Sequence, residues 1–363
     1  MFTIILIASV MTLIQWGLYK IKAGRFFLFI LPVLSLCLQI CIIFATVREQ
    51  ALLNSMFPLW LRIVIRLLPM LVSLFIMAAC IVLKYKKMTF TKPFYHTVIR
   101  LFLFFLLCMA IILPCTVYFA QEYVIFFPNH SYEDTSRLMN HRDFTRIDVG
   151  NYMGWERKKD SDQVIVYFGG NAQNSATVFR EYEEDGTFDI LKDYTVISVD
   201  YPEYGDSGGT LSQTTLFAMA DAVMKYTHTH YPDKKITIIG YSIGSGIACY
   251  AAHTYPPDAF VLLSPYSNGQ DLFNSYLPIF YGPGNFLIRY PLRSSDYVKD
   301  ITAPTLILYT KKDTIVRPYL TTRLLSSFPN KPEVIVYPTY THGDMVTTPA
   351  IWKDIVHFLQ DHG

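Results

Sequence analysis

Long unbroken apolar runs fill the first third of the chain. Short ones, most of them closed by glycine, serine or aspartate, fill the rest. A helix needs about 20 apolar residues to cross a bilayer. Four runs approach or reach that length: Thr3 to Tyr19, slightly short, then Phe26 to Val47, Leu59 to Leu83 and Leu101 to Ala120. The first lacks a basic start and a small-x-small cleavage site, and further spans follow it, so it reads as a span and not as a cleaved signal. From Gln121 onward the pattern changes. Strand-like runs at Val164–Phe168, Thr195–Val199, Ile236–Ile239, Ala259–Leu263, Thr305–Tyr309 and Glu333–Tyr337 are interleaved with helical patterns. These lie at Ser175–Glu184, Leu216–His230, Ile243–Tyr255, Pro318–Phe328 and Ile351–Leu359. Continuous apolar strands alternating with helices predict an α/β fold, a mostly parallel, doubly wound sheet covered on both faces. In such sheets ligands bind beyond the carboxyl ends of the strands.

Composition sharpens this division. The chain is 52% hydrophobic but only 17% charged, against roughly a quarter for ordinary soluble domains. A formal net charge of +2, with no basic patch interleaved with aromatics, gives no reason to expect nucleic acid as a partner. The basic residues fall unevenly. Lys20, Lys22 and Arg25 separate spans one and two, and Lys84, Lys86, Lys87, Lys92 and Arg100 separate spans three and four. The positive-inside rule places both groups in the cytoplasm. Both termini, and the domain after span four, are then extracytoplasmic. Arg62 and Arg66, four apart on one helical face, fit snorkelling at the outer interface. Cys37, Cys41, Cys80, Cys108 and Cys115 sit in the apolar spans, leaving Cys249 alone in the second part, as a buried helix residue. No Cys/His cluster has metal-ligand spacing. The expected organisation is a multi-pass membrane region over residues 1–120, about four helices, then a domain over residues 121–363.

The stretch "TIIGYSIGSGIA" places Ser242 at the tip of a glycine turn between a strand and a helix. Gly-x-Ser-x-Gly in that context is a nucleophile elbow. Small residues let the backbone turn sharply and lift the hydroxyl clear of the sheet. A serine nucleophile needs a base, and the base an orienting acid, in the chain order Ser, acid, His. Asp313 in "YTKKDTIV" and His342 in "YPTYTHGD" follow consecutive strands in that order. Either alone would read as a turn aspartate or a solvated loop histidine, but together they complete the set. His228, His230, His253 and His357 lie in helical patterns, and Asp344 is too near His342 in sequence to reach behind its ring. The oxyanion donors are expected to be the N–H of Ile243 and the N–H of Asn171 in the loop "YFGGNAQN".

The segments "VIVYFGGNAQN", "VISVDYPEYGDSGG", "ITIIGYSIGSGIA", "APTLILYTKKDTIV" and "THGD" resemble the α/β-hydrolase superfamily. They are closest to its membrane-anchored abhydrolase and serine-aminopeptidase-like branches. The resemblance covers the chain from about Tyr123 to its end and leaves the four spans outside. It implies the α/β-hydrolase fold and a Ser–Asp–His triad on Ser242, Asp313 and His342, with no metal or organic cofactor. Two departures stand out. Gly169 occupies the place of the family's histidine in the oxyanion loop, which predicts a looser loop. "DYPEYG" replaces a turn close to "DYRGYG". An aromatic-rich insertion, "DLFNSYLPIFYGPGNFLIRY", lies where this fold often carries a cap, here at about 265–299. Phe273, Tyr276, Phe280 and Tyr281 are its expected substrate-binding residues. With the membrane spans, it points to an integral-membrane serine hydrolase of ester or thioester bonds in lipid-like or acylated substrates. The bilayer and the acyl substrate are its expected partners. The same triad would also serve an acyltransferase or a peptidase, and a silent hydrolase domain would make a membrane scaffold or sensor.

Overall fold

The computed structural model describes residues 115, 117–119, 121, 122, 125–276 and 280–362. The chain divides into two units between Val124 and Ile125, and the second carries the architecture that follows. Apart from residues 115 and 117–119 of the fourth, the four expected spans lie outside the described residues. Among the described residues no helix is long and apolar enough to cross a membrane.

Eight strands form one sheet. They are β1 (Phe144–Val149), β2 (Tyr152–Arg157), β3 (Gln163–Phe168), β4 (Thr195–Val199), β5 (Lys235–Tyr241), β6 (Ala259–Leu263), β7 (Thr305–Thr310) and β8 (Glu333–Tyr337). Their spatial order is β1-β2-β4-β3-β5-β6-β7-β8. From β4 to β8 every pairing is parallel, while β1 and β2 add an antiparallel hairpin beside β4. The six strands expected from the apolar runs are β3 to β8, within a residue or two. The hairpin is additional. Its loop is Gly150-Asn151, with Gly150 at φ +70, a backbone conformation that glycine adopts without steric cost.

The helices are α1 (Tyr132–Met139), α2 (Ser175–Glu184), α3 (Thr187–Ile190), α4 (Gln213–His230), α5 (Ile243–Thr254), α6 (Gly269–Asn274), α7 (Ser294–Tyr297), α8 (Pro318–Leu325), α9 (Asp344–Thr347) and α10 (Pro349–His362). Where sequence periodicity places a start at Leu216, α4 begins three residues earlier. Ser212 accepts from the Thr215 N–H and Thr215 reciprocates, a capping box that fixes the first turn. One core joins alternate strand residues (Ile165, Tyr167, Val196, Ile239, Tyr241, Val261, Leu263, Leu306, Leu308) to α2 and α10 through Phe179, Tyr182, Trp352 and Phe358. Residues between them, such as Val166, Ile197, Ile238 and Leu262, are equally buried and face the other side. Burial on both faces is why these strands read as solid apolar runs.

The tightest junction lies between β5 and α5. A Cβ on Gly240 would stand 2.5 Å from the Ala248 Cβ and 2.8 Å from the Ser245 Cα. Only glycine lets the helix fold back this closely over its strand. Gly240→Ala should therefore destabilise the protein by about 1–3 kcal/mol, read from the urea midpoint of the full-length chain in detergent. Ala248→Gly in the same chain removes the nearest colliding atom. The double variant should then lose less than the sum of the two single losses. Strict additivity would mean the junction relaxes without cost.

Candidate active site

The carboxyl ends of β3, β5, β7 and β8 lie along one edge of the sheet and carry the loops of chemical interest. Ser242 follows β5 with φ +53 and ψ −122, a conformation that non-glycine residues rarely adopt. The turn aims its Oγ out of the sheet, and Ser242 becomes the N-cap of α5. On the far side of the turn, a Cβ on Gly244 would meet the carbonyl oxygens of Phe168 and Gly169 at 2.3 Å each. The start of α5 thus lies directly against the loop after β3.

Ser242, Asp313 and His342 come together. His342 Nε2 is 2.9 Å from Ser242 Oγ, and its Nδ1 is 2.7 Å from Asp313 Oδ2. Asp313 is buried, and its other oxygen accepts the N–H groups of Ile315 (2.9 Å) and Val316 (2.7 Å). The carboxylate is held by its own loop before it meets the ring. Burial without such partners would raise the cost of its charge. The Tyr241 ring stacks on His342 with centroids 5.1 Å apart, and its hydroxyl donates to the His342 carbonyl at 2.9 Å. This tyrosine, inside the elbow pentapeptide, fixes the histidine loop. Asp344 does not compete for the ring, because its Oδ2 accepts the N–H and hydroxyl of Thr341. Cys249 is fully buried in α5.

The loop after β3 departs from expectation. Gly169 does not leave it loose. Gln173 Oε1 accepts the Gly170 N–H at 2.6 Å and the Tyr167 hydroxyl at 3.1 Å, and the Gln173 N–H returns to the Gly170 carbonyl. Tyr201 donates its hydroxyl to the Gly169 carbonyl. A Cβ on Gly169 would sit 3.2 Å from Gln173 Oε1, so the glutamine fills the space beside the glycine. Gln173 was not identified from the sequence; the only hint was an amide three residues past a Gly-Gly turn. The clamp occupies the Gly170 N–H. Among the described residues the N–H groups of Asn171 and Ile243 have no hydrogen-bond partner.

Of the four aromatic cap residues, Phe273 and Phe280 are buried with ring centroids 6.2 Å apart. Asn274 and Gln270 bind the Phe280 main chain and hold that pair together. The Tyr276 hydroxyl donates to the Ile315 carbonyl, within the loop that carries Asp313. Tyr281 is exposed. Two other aromatics of the insertion diverge: Tyr290 is fully buried and Phe286 stands in solvent.

A parallel sheet with a strained serine turn after its central strand, joined to a histidine and an acid from the next loops, defines the α/β-hydrolase class. A family model described as the alpha/beta hydrolase fold matches residues 163–282. The second unit has the α/β-hydrolase fold. It is 27% identical over 230 residues to protein ABHD12B of Homo sapiens, a match covering 55% of this chain and 61% of that protein. To the lysophosphatidylserine lipase ABHD12 of Mus musculus it is 28% identical over 189 residues, or 45% of this chain and 47% of the relative. The chain thus spans less than two thirds of the length of these curated relatives. Among solved structures, the esterase Pf2001 of Pyrococcus furiosus superposes with a TM-score of 0.52 at 19% identity, covering 66% of this chain and 99% of that one.

One buried carboxylate supports the site without touching the triad. Asp200, at the end of β4, accepts the Ser175 N–H at 2.5 Å, and Gly205 lies so close that a Cβ there would overlap its Oδ2. Burial raises its pKa to about 6, the Ser175 bonds oppose the rise, and Asp206 adds like-charge repulsion. The folded state then binds the proton more tightly than the unfolded chain. Asp200 therefore favours folding most below pH ~4, and that contribution is lost as pH rises to about 6. Asp200→Asn keeps the acceptor and cannot ionise. The variant's melting temperature, relative to the parent, should climb between about pH 4 and 6 and level off above. A difference independent of pH would show that Asp200 titrates normally.

Proposed function

We propose that this protein is an integral-membrane, multi-pass serine hydrolase that cleaves ester or thioester bonds in lipid-like acyl substrates. The carrying observation is the hydrogen-bonded series Ser242–His342–Asp313, at 2.9 and 2.7 Å, with the serine on a strained turn. Ser242 attacks the acyl carbonyl while His342 takes its proton through Nε2. Asp313 keeps the other ring nitrogen protonated and stabilises the imidazolium. The N–H groups of Ile243 and Asn171 receive the oxyanion, aided by the positive end of α5. His342 then protonates the leaving oxygen or sulfur, and a water activated by the same ring releases the acid. Tyr276 lies beside the acid loop at the rim, with Phe273, Phe280 and Tyr281 giving an apolar wall to the acyl chain. The naming of several relatives as lysophosphatidylserine lipases favours a single-chain lipid ester over a peptide. The four apolar runs of the first third favour a substrate delivered from the bilayer.

A fluorophosphonate probe should label the full-length protein at Ser242. Labelling should vanish in Ser242→Ala, and ester hydrolysis in His342→Ala should fall by about 10⁴-fold. A panel of acyl esters of graded length, assayed in detergent, should show kcat/KM rising with chain length. Labelling intact in Ser242→Ala would end the triad assignment. A flat chain-length profile would end the lipid assignment alone.

The charge distribution between the spans supports an extracytoplasmic catalytic domain. A reporter that works only outside the cytoplasm should be active when fused after Gly363. Activity only from a cytoplasm-dependent reporter would reverse the topology.

A further inference from the structure

The second unit begins at Ile125, a helical residue, and Phe126–His130 after it form no helix or strand, yet Phe126 is 2% exposed. This strap is bonded to the loop that follows β3 and to the turn after β4, where Phe127 N–H reaches the Tyr204 hydroxyl at 3.0 Å and the His130 ring lies 2.6 Å from the Gly205 carbonyl. Asn171 Nδ2 donates to the Ile125 carbonyl, and Asn171 Oδ1 accepts the Phe127 N–H at 2.9 Å. Asn129 Nδ2 donates to the Ala172 carbonyl at 3.2 Å, and Asn174 Nδ2 donates to the Asn129 carbonyl at 3.2 Å. Gly205 N–H also reaches the Asn129 carbonyl, at 2.9 Å, so the strap joins this loop to the turn after β4. The Phe126 ring lies 4.7 Å from the ring of Tyr290, whose hydroxyl is anchored on the Leu211 carbonyl.

These contacts converge on a strained position. Ala172 has φ +63, which costs a non-glycine residue about 1 kcal/mol or more. Its N–H is held by Asn171 Oδ1 at 2.9 Å and its carbonyl by Asn129. Asn171 Oδ1 accepts a further donor, the Tyr204 hydroxyl, at 2.9 Å. Removing the strap takes away two of the Asn171 side-chain bonds and the Ala172 carbonyl's partner. Ala172 would then relax toward negative φ, and the peptide planes on either side of it would turn. The Asn171 N–H, one residue away, would lose its direction.

We propose that the strap is a positioning element of the oxyanion hole, with Phe126 and Asn129 as its positioning residues. The proposal rests on the oxyanion role assigned to Asn171 above. Misdirecting one preorganised donor weakens the transition state more than the ground state.

The test uses the full-length protein in detergent, with active sites counted by exhaustive fluorophosphonate labelling. In Phe126→Ala and Asn129→Ala, kcat per labelled site should fall about tenfold or more, with KM within about twofold. Inhibition by a trifluoromethyl ketone, which forms a tetrahedral adduct, should weaken in step with kcat. Phe126→Leu, which refills the space, should recover most of the loss. A purely structural role would lower the number of labelled sites and the melting temperature while leaving kcat per site unchanged, and that result overturns the proposal. If Phe126→Ala does not fold, Asn129→Ala decides alone. Hydrolysis surviving in Ser242→Ala would instead remove the site assignment beneath the proposal, and the proposal with it.

Discussion

The close approach of α5 to the carboxyl end of the sheet is the constraint on which the rest of this domain depends. It forces Ser242 to φ +53, at a cost on the order of 1–3 kcal/mol. It also excludes side chains at Gly240 and Gly244, where a Cβ would strike Ala248 on one side and the Phe168 and Gly169 carbonyls on the other. Packing offsets the strain. Ile247, Ala248, Ala251 and Ala252 of α5 are essentially inaccessible, as are Ile238 and Ile239 of β5. With that wedge in place, the serine, the start of a helix and the β3 loop occupy one small volume.

A second layer of polar contacts converts proximity into fixed geometry. Tyr241 holds the histidine loop by stacking and through its hydroxyl. Gln173 and Tyr201 hold the two glycines after β3. Asp200 ties the start of α2 to the turn after β4. Each is a buried or part-buried polar group with a partner, and leaving any of them unpaired would cost about 1–3 kcal/mol. The tyrosines recur because a phenol combines a large apolar body with one donor at its tip. Such a side chain can fill the core and still reach a loop carbonyl.

Much of this was legible in the sequence because it follows from short-range rules. Apolar runs gave β3 to β8, the glycine spacing gave the elbow, and chain order picked out Asp313 and His342 from other acids and histidines. The hairpin β1–β2 was missed because its outer strand is exposed at Thr145, Arg146 and Asp148 and its apolar positions do not alternate cleanly. Gly150-Asn151 was the available signal. The strap was missed for a different reason. Its contacts pair residues far apart in sequence, such as Phe127 with Asn171 and Asn129 with Ala172, and no local periodicity encodes them. Gln173 bonds locally, to Gly170 and Tyr167, but a lone loop amide carries no periodic signal. Nor does aromatic content in the cap distinguish Tyr290, a buried anchor, from Phe286, which is exposed.

The polar inventory around Ser242 also carries an argument about chemistry. Asp313 uses one oxygen on two main-chain N–H groups and the other on His342. The Gly170 N–H is taken by Gln173, and the Asn171 side chain is spent on the strap and on Tyr204. The main-chain donors of Asn171 and Ile243 have no partner among the described residues. Under the proposed mechanism, a site that leaves these two donors unspent for the oxyanion stabilises little in its resting state. It has most to gain when negative charge appears where those donors can reach it. Under the proposed mechanism, Gln173 and the strap are therefore as much a part of oxyanion stabilisation as the donors. Without the clamp, Gly170 could turn its own N–H inward. Without the strap, Asn171 could turn its N–H away.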